Sequence, residues 1–141
     1  RTVVLREITE DLRITIYTDS RTQKMKHITQ NNQVSFLLYH PDKMLQLKVE
    51  GTAQIVTNTE RLKTTWQTIQ PNSRKDYITQ TTPGSPIKNP DNVEYNDEKN
   101  YFSIIDITPT KIEYVKLKRP NHIRALFKNV DNSWNGEFLV P

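Results

Sequence analysis

The chain has 141 residues, a mass of 16.6 kDa, a net charge of +4 and a pI of 9.3. This length is typical of one domain with a single hydrophobic core. Cysteine is absent and the histidines, His27, His40 and His122, lack metal-ligand spacing, so we predict no disulfide and no metal site. No apolar run is long enough to span a membrane, and we expect a cytoplasmic protein. The basic charge admits nucleic acid or a phosphorylated ligand as partner, although ordinary soluble proteins also carry such a charge.

Apolar and polar residues alternate in three segments of the first half of the chain. This alternation predicts half-buried strands at 12–17, 34–39 and 45–56. Strands with one polar face favour antiparallel pairing. Gly51 interrupts the longest segment and predicts a bulge or a sharp bend, which closed barrels use at their corners.

Two helices are predicted between these strands. The first follows an N-cap at Ser20 and includes residues 23–28. The second begins at Thr59, carries its apolar residues on one face and ends near Pro71. A shorter helical turn is predicted at 73–78.

Residues 80–100 contain three prolines among Thr, Asn and Asp residues, and they are predicted to form a long loop. Four further strands are predicted after the loop, at 101–107, 111–117, 123–128 and 134–139, with a hairpin turn at Asp131-Asn132. The pattern predicts a mostly β fold with peripheral helices, built as a small antiparallel barrel.

The sequence contains no glycine-rich phosphate loop and no G-x-S-x-G nucleophile motif. An anion must therefore be held by side chains and by the amides at a helix N-terminus. The first predicted helix offers such groups in the hydroxyls of Ser20 and Thr22 and the cations of Arg21 and Lys24, while Arg1 and Arg6 flank the preceding apolar segment. Two interpretations remain open: a phosphate site, or a surface helix whose charges are solvated.

Five short motifs follow one another along the chain. They are Arg1-Thr-Val-Val-Leu-Arg6, Tyr17-Thr18-Asp19, Thr22-Gln23-Lys24, QLKVEG at 46–51 and HIRALF at 122–127, followed by Trp134 and a terminal LVP. In this order and spacing the chain resembles the pyridoxamine 5'-phosphate oxidase family of FMN-binding split barrels, as an oxidase-like subgroup rather than the vitamin-pathway oxidase itself. The resemblance implies a six- to eight-stranded antiparallel split β-barrel of the FMN-binding type. Residues 1–141 would form one domain, and the family's N-terminal helix and first strand would precede Arg1.

The resemblance also implies FMN as the cofactor, at the interface of a homodimer. The residues implied to contact FMN are Arg1, Val4, Leu5, Arg6, Tyr17, Thr18, Arg21, Thr22, Gln23, Lys24, Gln46 and Arg124. Of these, Gln46 and Arg124 match contacts that the family takes from the second subunit. Arg6 and His122 would face a small-molecule substrate.

Several positions depart from the family's pattern. Gln23 stands where the oxidase has an arginine, a loss for which Arg21 or Thr22 would compensate, and Arg6 replaces a lysine. Pro120 replaces a substrate-facing arginine, and Val115 lies near the place of a flavin-lining tryptophan. The residues that grip the substrate phosphate are not found at the expected spacing; instead Ser73, Arg74 and Tyr77 lie nearby in another arrangement. Flavin binding tolerates these changes better than pyridoxal phosphate chemistry does.

The leading hypothesis is an FMN-dependent oxidoreductase that transfers hydride or electrons between FMN and a small substrate. A related flavin or deazaflavin in place of FMN remains open, as does the substrate. The second hypothesis is a flavin-binding protein without oxidase activity. A third is a basic barrel that binds single-stranded nucleic acid through Tyr17, Tyr39 and Tyr114, which is the least favoured because no aromatic ladder forms on one strand.

Overall fold

Seven antiparallel strands form one sheet in the computed structural model, which describes residues 2–141. The strands are β1 (Leu5–Ile8), β2 (Ile14–Asp19), β3 (Gln33–His40), β4 (Leu45–Ile55), β5 (Phe102–Lys116), β6 (Ile123–Val130) and β7 (Ser133–Leu139). The helices are α1 (Gln23–Gln30), α2 (Thr59–Thr68) and α3 (Pro71–Arg74), with 3-10 turns at Lys75–Tyr77 and Pro90–Asn92. The predicted fold class, a mostly β split barrel of six to eight strands, is confirmed.

Strand β5 is the central strand of the sheet. One of its edges pairs with β4 over nearly its whole length, while the other edge pairs first with β2 and then with β6. The strand order is β1-β2-β5-β4-β3, and the β6–β7 hairpin is added to β5. The sequence predicted two strands here, at 101–107 and 111–117, and this was wrong. Pro109, which lacks an N–H, lies where β5 exchanges its β2 partner for β6, so the strand continues past it.

Gly51 lies at a bulge between β4 and β5, as the sequence predicted. The pairing register shifts between Glu50 and Gly51, opposite Lys111 and Pro109. A β-carbon at Gly51 would lie 2.9 Å from the Pro109 α-carbon and would overlap the Thr108 carbonyl oxygen. The two strands therefore approach so closely that only glycine fits.

Apolar side chains pack on both faces of β2 and β5. On one face Ile14, Ile16, Met25, Val49, Ala53, Ile105 and Ile107 form the barrel core. On the other face Tyr77, Phe102 and Ile104 pack under α2 with Tyr17, Leu62 and Trp66. The prediction that the strand at 12–17, now β2, has one polar face is wrong, because Thr15 on that face is only 1% exposed. Its hydroxyl instead donates a hydrogen bond to Asp106 over 2.8 Å.

The first helix begins later than predicted. The N-cap is Thr22 rather than Ser20, and the Ser20 N–H donates to the Tyr101 carbonyl. Asp19 accounts for the later start of the helix, because its carboxylate accepts the Arg21 N–H and so forms a turn before the first helical residue. The second helix is confirmed with its first residue at Thr59, and Asn58 caps it by accepting the Arg61 N–H. No helix within residues 2–141 is long and apolar enough to cross a membrane.

The segment between the 3-10 turn at Lys75–Tyr77 and β5 is irregular, as predicted for residues 80–100, apart from the short 3-10 turn at Pro90–Asn92. Residues 81–90 are all exposed. The base of the loop is held by a single bridge between Thr79 and Tyr95 and by the Tyr101 N–H, which donates to the Tyr77 carbonyl. The predicted helical turn at 73–78 is present as α3 and the 3-10 turn after it. Positive φ angles at Asp131 and Asn132 also confirm the last hairpin turn.

An ion pair beneath α2 makes the fold's stability depend on pH. Burial alone raises the pKa of Asp106, but hydrogen bonds from Arg61 and Thr15 outweigh it and hold that pKa below its ordinary value of 3.8. A carboxyl whose pKa is lower in the folded state stabilises the fold above its unfolded pKa, and this contribution is lost as the pH falls through the folded pKa.

We therefore expect Asp106→Asn to lower the free energy of unfolding by about 2 kcal/mol at pH 7, since the Arg61 cation loses its partner. The difference between variant and wild type should shrink as the pH falls below about 4. Urea unfolding at pH 7, 4 and 2.5 measures this. A difference that is the same at all three pH values would contradict the assignment.

Candidate functional site

Three side chains meet where β2 ends and α1 begins, and we call Thr18, Thr22 and Lys24 the anion site. The Lys24 ammonium donates to the Thr18 hydroxyl over 2.7 Å, and Thr18 is only 4% exposed. The Thr22 hydroxyl donates to the Asp19 carbonyl over 2.9 Å and does not cap the helix. The first turn of α1 contains no acidic residue. A cation, two hydroxyls and a helix N-terminus without a side-chain cap are groups that bind phosphate.

Arg6 lies beside two tyrosines that pack under α2, on the face of β2 opposite to the anion site. Its guanidinium carbon is 5.4 Å from the centre of the Tyr17 ring, which packs edge-on against Phe102 at 5.1 Å. Burial raises the pKa of the Tyr77 hydroxyl, and a hydrogen bond with Arg6 partly opposes this rise. Arg6 is itself exposed. The sequence had placed Tyr77 only in the neighbourhood of the substrate, whereas the structure brings its hydroxyl to Arg6.

Arg21 makes its contacts away from the anion site. Its guanidinium pairs with Asp19 at 2.7 Å and lies 3.4 Å from the centre of the Tyr101 ring. The hydrogen bond to Asp19 raises the pKa of Arg21. Phosphate binding by Arg21 stays a prediction, as it does for Gln23, which is exposed on α1. Asp19 and Tyr101 were missed by sequence reasoning, although an aspartate two residues before an arginine in a turn is a local signal.

A cavity of about 650 Å³ lies between β1, α1 and β3. Thr2 and Val3 line it from the segment before β1, Leu5 lines it from β1, and Lys24 and His27 line it from α1. Its remaining walls are largely apolar, formed by Ile14, Ile16, Ile28, Val34, Phe36, Leu38 and Ile107 among others. Val4 is 56% exposed, and Arg1, also predicted here, lies outside the described residues.

Gln46 and Arg124 lie at the other end of the sheet from the anion site. Both pair with Val115 of β5, so the three form one row across β4, β5 and β6. Thr18 pairs instead with Ser103, twelve positions earlier in β5, which corresponds to about 40 Å along the strand. Within one chain the structure therefore does not bring Gln46 and Arg124 to Lys24.

Arg124 is held by a neighbour that the sequence did not single out. Its Nε and Nη2 atoms both lie 2.9 Å from one carboxylate oxygen of Glu113. Glu113 is two residues before Val115 and so lies on the same face of β5. Once the β5–β6 pairing register is known, the alternation of side chains between the two faces of β5 is enough to predict that Glu113 lies near Arg124.

His122 lies in the loop between β5 and β6, at the Arg124 end of the sheet. Its Nδ1 atom accepts a hydrogen bond from the Lys118 N–H over 3.2 Å. In the neutral ring the proton must then be on Nε2, which is a donor. Arg6 lies near Tyr17 at the opposite end of β5, so the two residues predicted to face the substrate do not meet within one chain.

Ser73 and Arg74, considered as substitutes for the missing substrate-phosphate residues, have other surroundings. The Arg74 guanidinium donates to the carbonyls of Ile69 and Gln67 and lies over Trp66. Arg74 therefore binds the C-terminal end of α2. Ser73 is exposed on α3.

The tyrosines considered for nucleic-acid binding do not form one platform. Tyr39 is 62% exposed and lies in the same row as Gln46 and Val115. Tyr114, next to Val115, points to the opposite face of β5. Tyr17 is half-buried against Phe102. Within residues 2–141, no three acidic or histidine side chains are close enough to hold a metal ion.

Solved structures share the fold over the whole chain. An FMN-binding protein related to pyridoxamine 5'-phosphate oxidase from Nostoc punctiforme is 22% identical with a TM-score of 0.83, covering 100% of this chain and 79% of that one. PhzG from Burkholderia lata, in complex with tetrahydrophenazine-1-carboxylic acid, is 16% identical with a TM-score of 0.78, covering 100% of this chain and 74% of that one.

A third structure is a protein from Clostridium acetobutylicum related to general stress protein 26. It is 14% identical with a TM-score of 0.59, and the match covers 94% of this chain and 78% of that one. At these identities the likeness establishes the fold and leaves the activity open. No curated protein gives a significant match.

The family assignment comes from the sequence match. The family model described as pyridoxamine 5'-phosphate oxidase matches residues 2–116, which include the anion site and the whole of β4 and β5. This agrees with the resemblance carried by the five motifs. The chain belongs to the pyridoxamine 5'-phosphate oxidase family.

Proposed function

We propose that this protein binds FMN and transfers hydride or electrons between FMN and a small substrate. The observation that carries the proposal is the Lys24 ammonium at 2.7 Å from the Thr18 hydroxyl, at the start of a helix without a side-chain cap. Such a constellation suits the terminal phosphate of a flavin mononucleotide. Family membership and a fold shared with FMN-binding relatives support the same cofactor.

The described residues fit the remaining parts of FMN. Thr22 adds a hydroxyl at the anion site, and the largely apolar cavity that Lys24 and Leu5 line adjoins it. The Tyr17 side chain points to the opposite face of β2 from Thr18, so its contact with the flavin stays a prediction. Arg6 supplies a positive charge next to Tyr17, where it would orient an electron-rich substrate. When bound, FMN supplies the redox chemistry, and the protein contributes binding, orientation and electrostatics.

We also propose that the functional unit is a homodimer in which each site is completed by Gln46 and Arg124 of the second subunit. The support is that Gln46 and Arg124 pair with Val115, twelve positions along β5 from the Ser103 partner of Thr18, at the other end of the sheet from the anion site. In a two-fold dimer, the Arg124 end of one chain can lie beside the Lys24 end of the other. His122 would then approach Arg6 across the interface.

A second candidate function is flavin binding without substrate oxidation. Arg74, considered from the sequence as a substitute for the missing substrate-phosphate residues, is engaged with the end of α2 and with Trp66. The protein would then act as a flavin reductase, store or sensor. Turnover assays with pyridoxamine 5'-phosphate and with reduced nicotinamides separate this candidate from the first.

The experiment that tests flavin binding is an absorbance spectrum of the purified protein before and after addition of FMN. We expect flavin bands in the protein as purified, or a shifted FMN spectrum on titration, with FMN binding more tightly than riboflavin. The preference for FMN should be about tenfold or more, because a charge-assisted phosphate contact is lost with riboflavin. A protein that leaves the FMN spectrum unchanged would overturn the proposal, and oligonucleotide binding would then be the next assay.

A further inference from the structure

Arg21 connects two parts of the chain that are far apart in sequence. On one side it reaches Asp19 in the turn between β2 and α1, and on the other it reaches Thr79 and Gln80 at the start of the 80–100 loop. Tyr101, at the end of that loop, packs against the flat face of the guanidinium at 3.4 Å. We call these residues the Arg21 clamp.

On the turn side, the clamp bonds to a carboxylate that is almost fully buried. Asp19 is 3% exposed, and its carboxylate accepts hydrogen bonds from the Arg21 main-chain N–H at 2.8 Å and from the Arg21 Nη2 at 2.7 Å. The Asp19 carbonyl accepts the Thr22 N–H and the Thr22 hydroxyl. Asp19 therefore fixes Thr22, and its chain neighbour Thr18 contacts Lys24.

On the loop side, the clamp bonds main-chain atoms. Nη2 donates to the Thr79 carbonyl at 2.8 Å and Nη1 donates to the Gln80 carbonyl at 3.1 Å. The Ser20 N–H adds a further link by donating to the Tyr101 carbonyl at 2.8 Å. Both ends of the loop are thus attached to the β2–α1 turn.

These contacts use most of the hydrogen-bond donors of the Arg21 guanidinium. Its Nε, Nη1 and Nη2 atoms all have protein acceptors, and one flat face is covered by Tyr101. The Arg21 side chain is 17% exposed. Four of the five guanidinium N–H groups are used in this way, so a phosphate that bonded to more than the second Nη1 N–H would have to displace a buried carboxylate or two carbonyls, which would be left without a donor.

We propose that Arg21 is a positioning residue. It holds the β2–α1 turn and both ends of the 80–100 loop together, and through Asp19 it sets the geometry of the anion site without binding the phosphate. The effect on cofactor affinity rests on the proposed FMN-binding function. The contacts of the clamp join protein groups to one another.

Hydrogen exchange of the flavin-free protein tests the clamp directly. We expect Arg21→Gln to accelerate exchange of the main-chain amides of residues 77–81 and 95–101 by about tenfold or more, because local opening no longer breaks the Arg21 bonds. Arg21→Lys, which keeps the charge but lacks the planar fork, should show an intermediate increase. Lys26→Gln, at an exposed position of α1, is the matched control and should exchange like the wild type. Unchanged exchange in both Arg21 variants would overturn the clamp.

Paired titrations with FMN and riboflavin separate positioning from phosphate binding. If Arg21 acts on the phosphate only through the anion site, Arg21→Gln lowers the affinity ratio of FMN to riboflavin in the wild-type background, but changes that ratio by less than about twofold in a Lys24→Met background. Lys24→Met, which removes the cation of the anion site, should by itself remove most of the preference for FMN over riboflavin. A further fall of about tenfold in FMN affinity when Arg21→Gln is added to Lys24→Met, with riboflavin affinity unchanged, would show a direct phosphate contact and overturn the proposal. If the wild type binds neither flavin, the proposed function is wrong, and the exchange experiment alone decides whether the clamp exists.

Discussion

Replacing Gly51 with alanine is expected to destabilise the fold by about 3 kcal/mol or more. The new methyl group would overlap the Thr108 carbonyl oxygen and lie 2.9 Å from the Pro109 α-carbon, and both obstacles are main chain. The strands cannot separate without breaking the pairing of β4 with β5, the most extensive in the sheet. In thermal unfolding this corresponds to a midpoint lower by about 10 °C.

Gly136→Ala is the matched control for this prediction. A β-carbon at Gly136 would lie 2.7 Å from the Phe127 ring, which is a side chain and is 38% exposed. The ring can rotate toward solvent, so we expect a loss below about 1 kcal/mol. Equal destabilisation by the two alanine substitutions would show that the close approach at the bulge is not special.

Replacing Lys24 with methionine is expected to weaken FMN binding by about 10- to 100-fold, the effect of losing one charge-assisted hydrogen bond to a phosphate. Methionine keeps the apolar stem that lines the cavity beside β1. Titration followed by flavin fluorescence measures the change, with Lys26→Gln again as the control. An unchanged dissociation constant would remove Lys24 from the site.

The same variant also tests whether the site is shared between subunits. We expect Lys24→Met and Arg124→Gln each to bind FMN poorly as separate homodimers. When the two are unfolded together and refolded as an equal mixture, mixed dimers contain one site with both defects and one intact site, so about a quarter of the sites should regain wild-type affinity. Recovery of no tight sites, with mixed dimers demonstrated by mass spectrometry, would contradict the shared site.

Local features of the fold could be predicted from the sequence because their causes are local. Period-two alternation placed the strands, the Asp131-Asn132 pair placed the last turn, and an isolated glycine in a strand marked the bulge. The start of α1 was misplaced because Ser20 was predicted as the N-cap, whereas Thr22, two residues later, takes that position. The carboxylate of Asp19 decides between them, since it already holds the Arg21 N–H.

The candidate site also combines contacts that could be predicted from the sequence with contacts that could not. The sequence predicted Thr22 and Lys24 as neighbours of one phosphate and Thr18 as a residue that lines the flavin, and the structure brings the Lys24 ammonium to the Thr18 hydroxyl. It gave no sign that Arg21 would bond to residues 58 and 59 positions later in the chain. That contact depends on the path of the loop between α3 and β5, for which no local pattern exists.

The sequence by itself determined that this chain is a basic, cysteine-free, mostly β protein with the motifs of a flavin-binding family, because composition, alternation and motif spacing are properties of neighbouring residues. Only the tertiary structure decided that both faces of β2 are buried, that Arg21 is engaged with the loop, and that Lys24 and Arg124 lie at opposite ends of β5. These features follow from the pairing of strands and loops distant in sequence, whose register is set by the packing of the whole core.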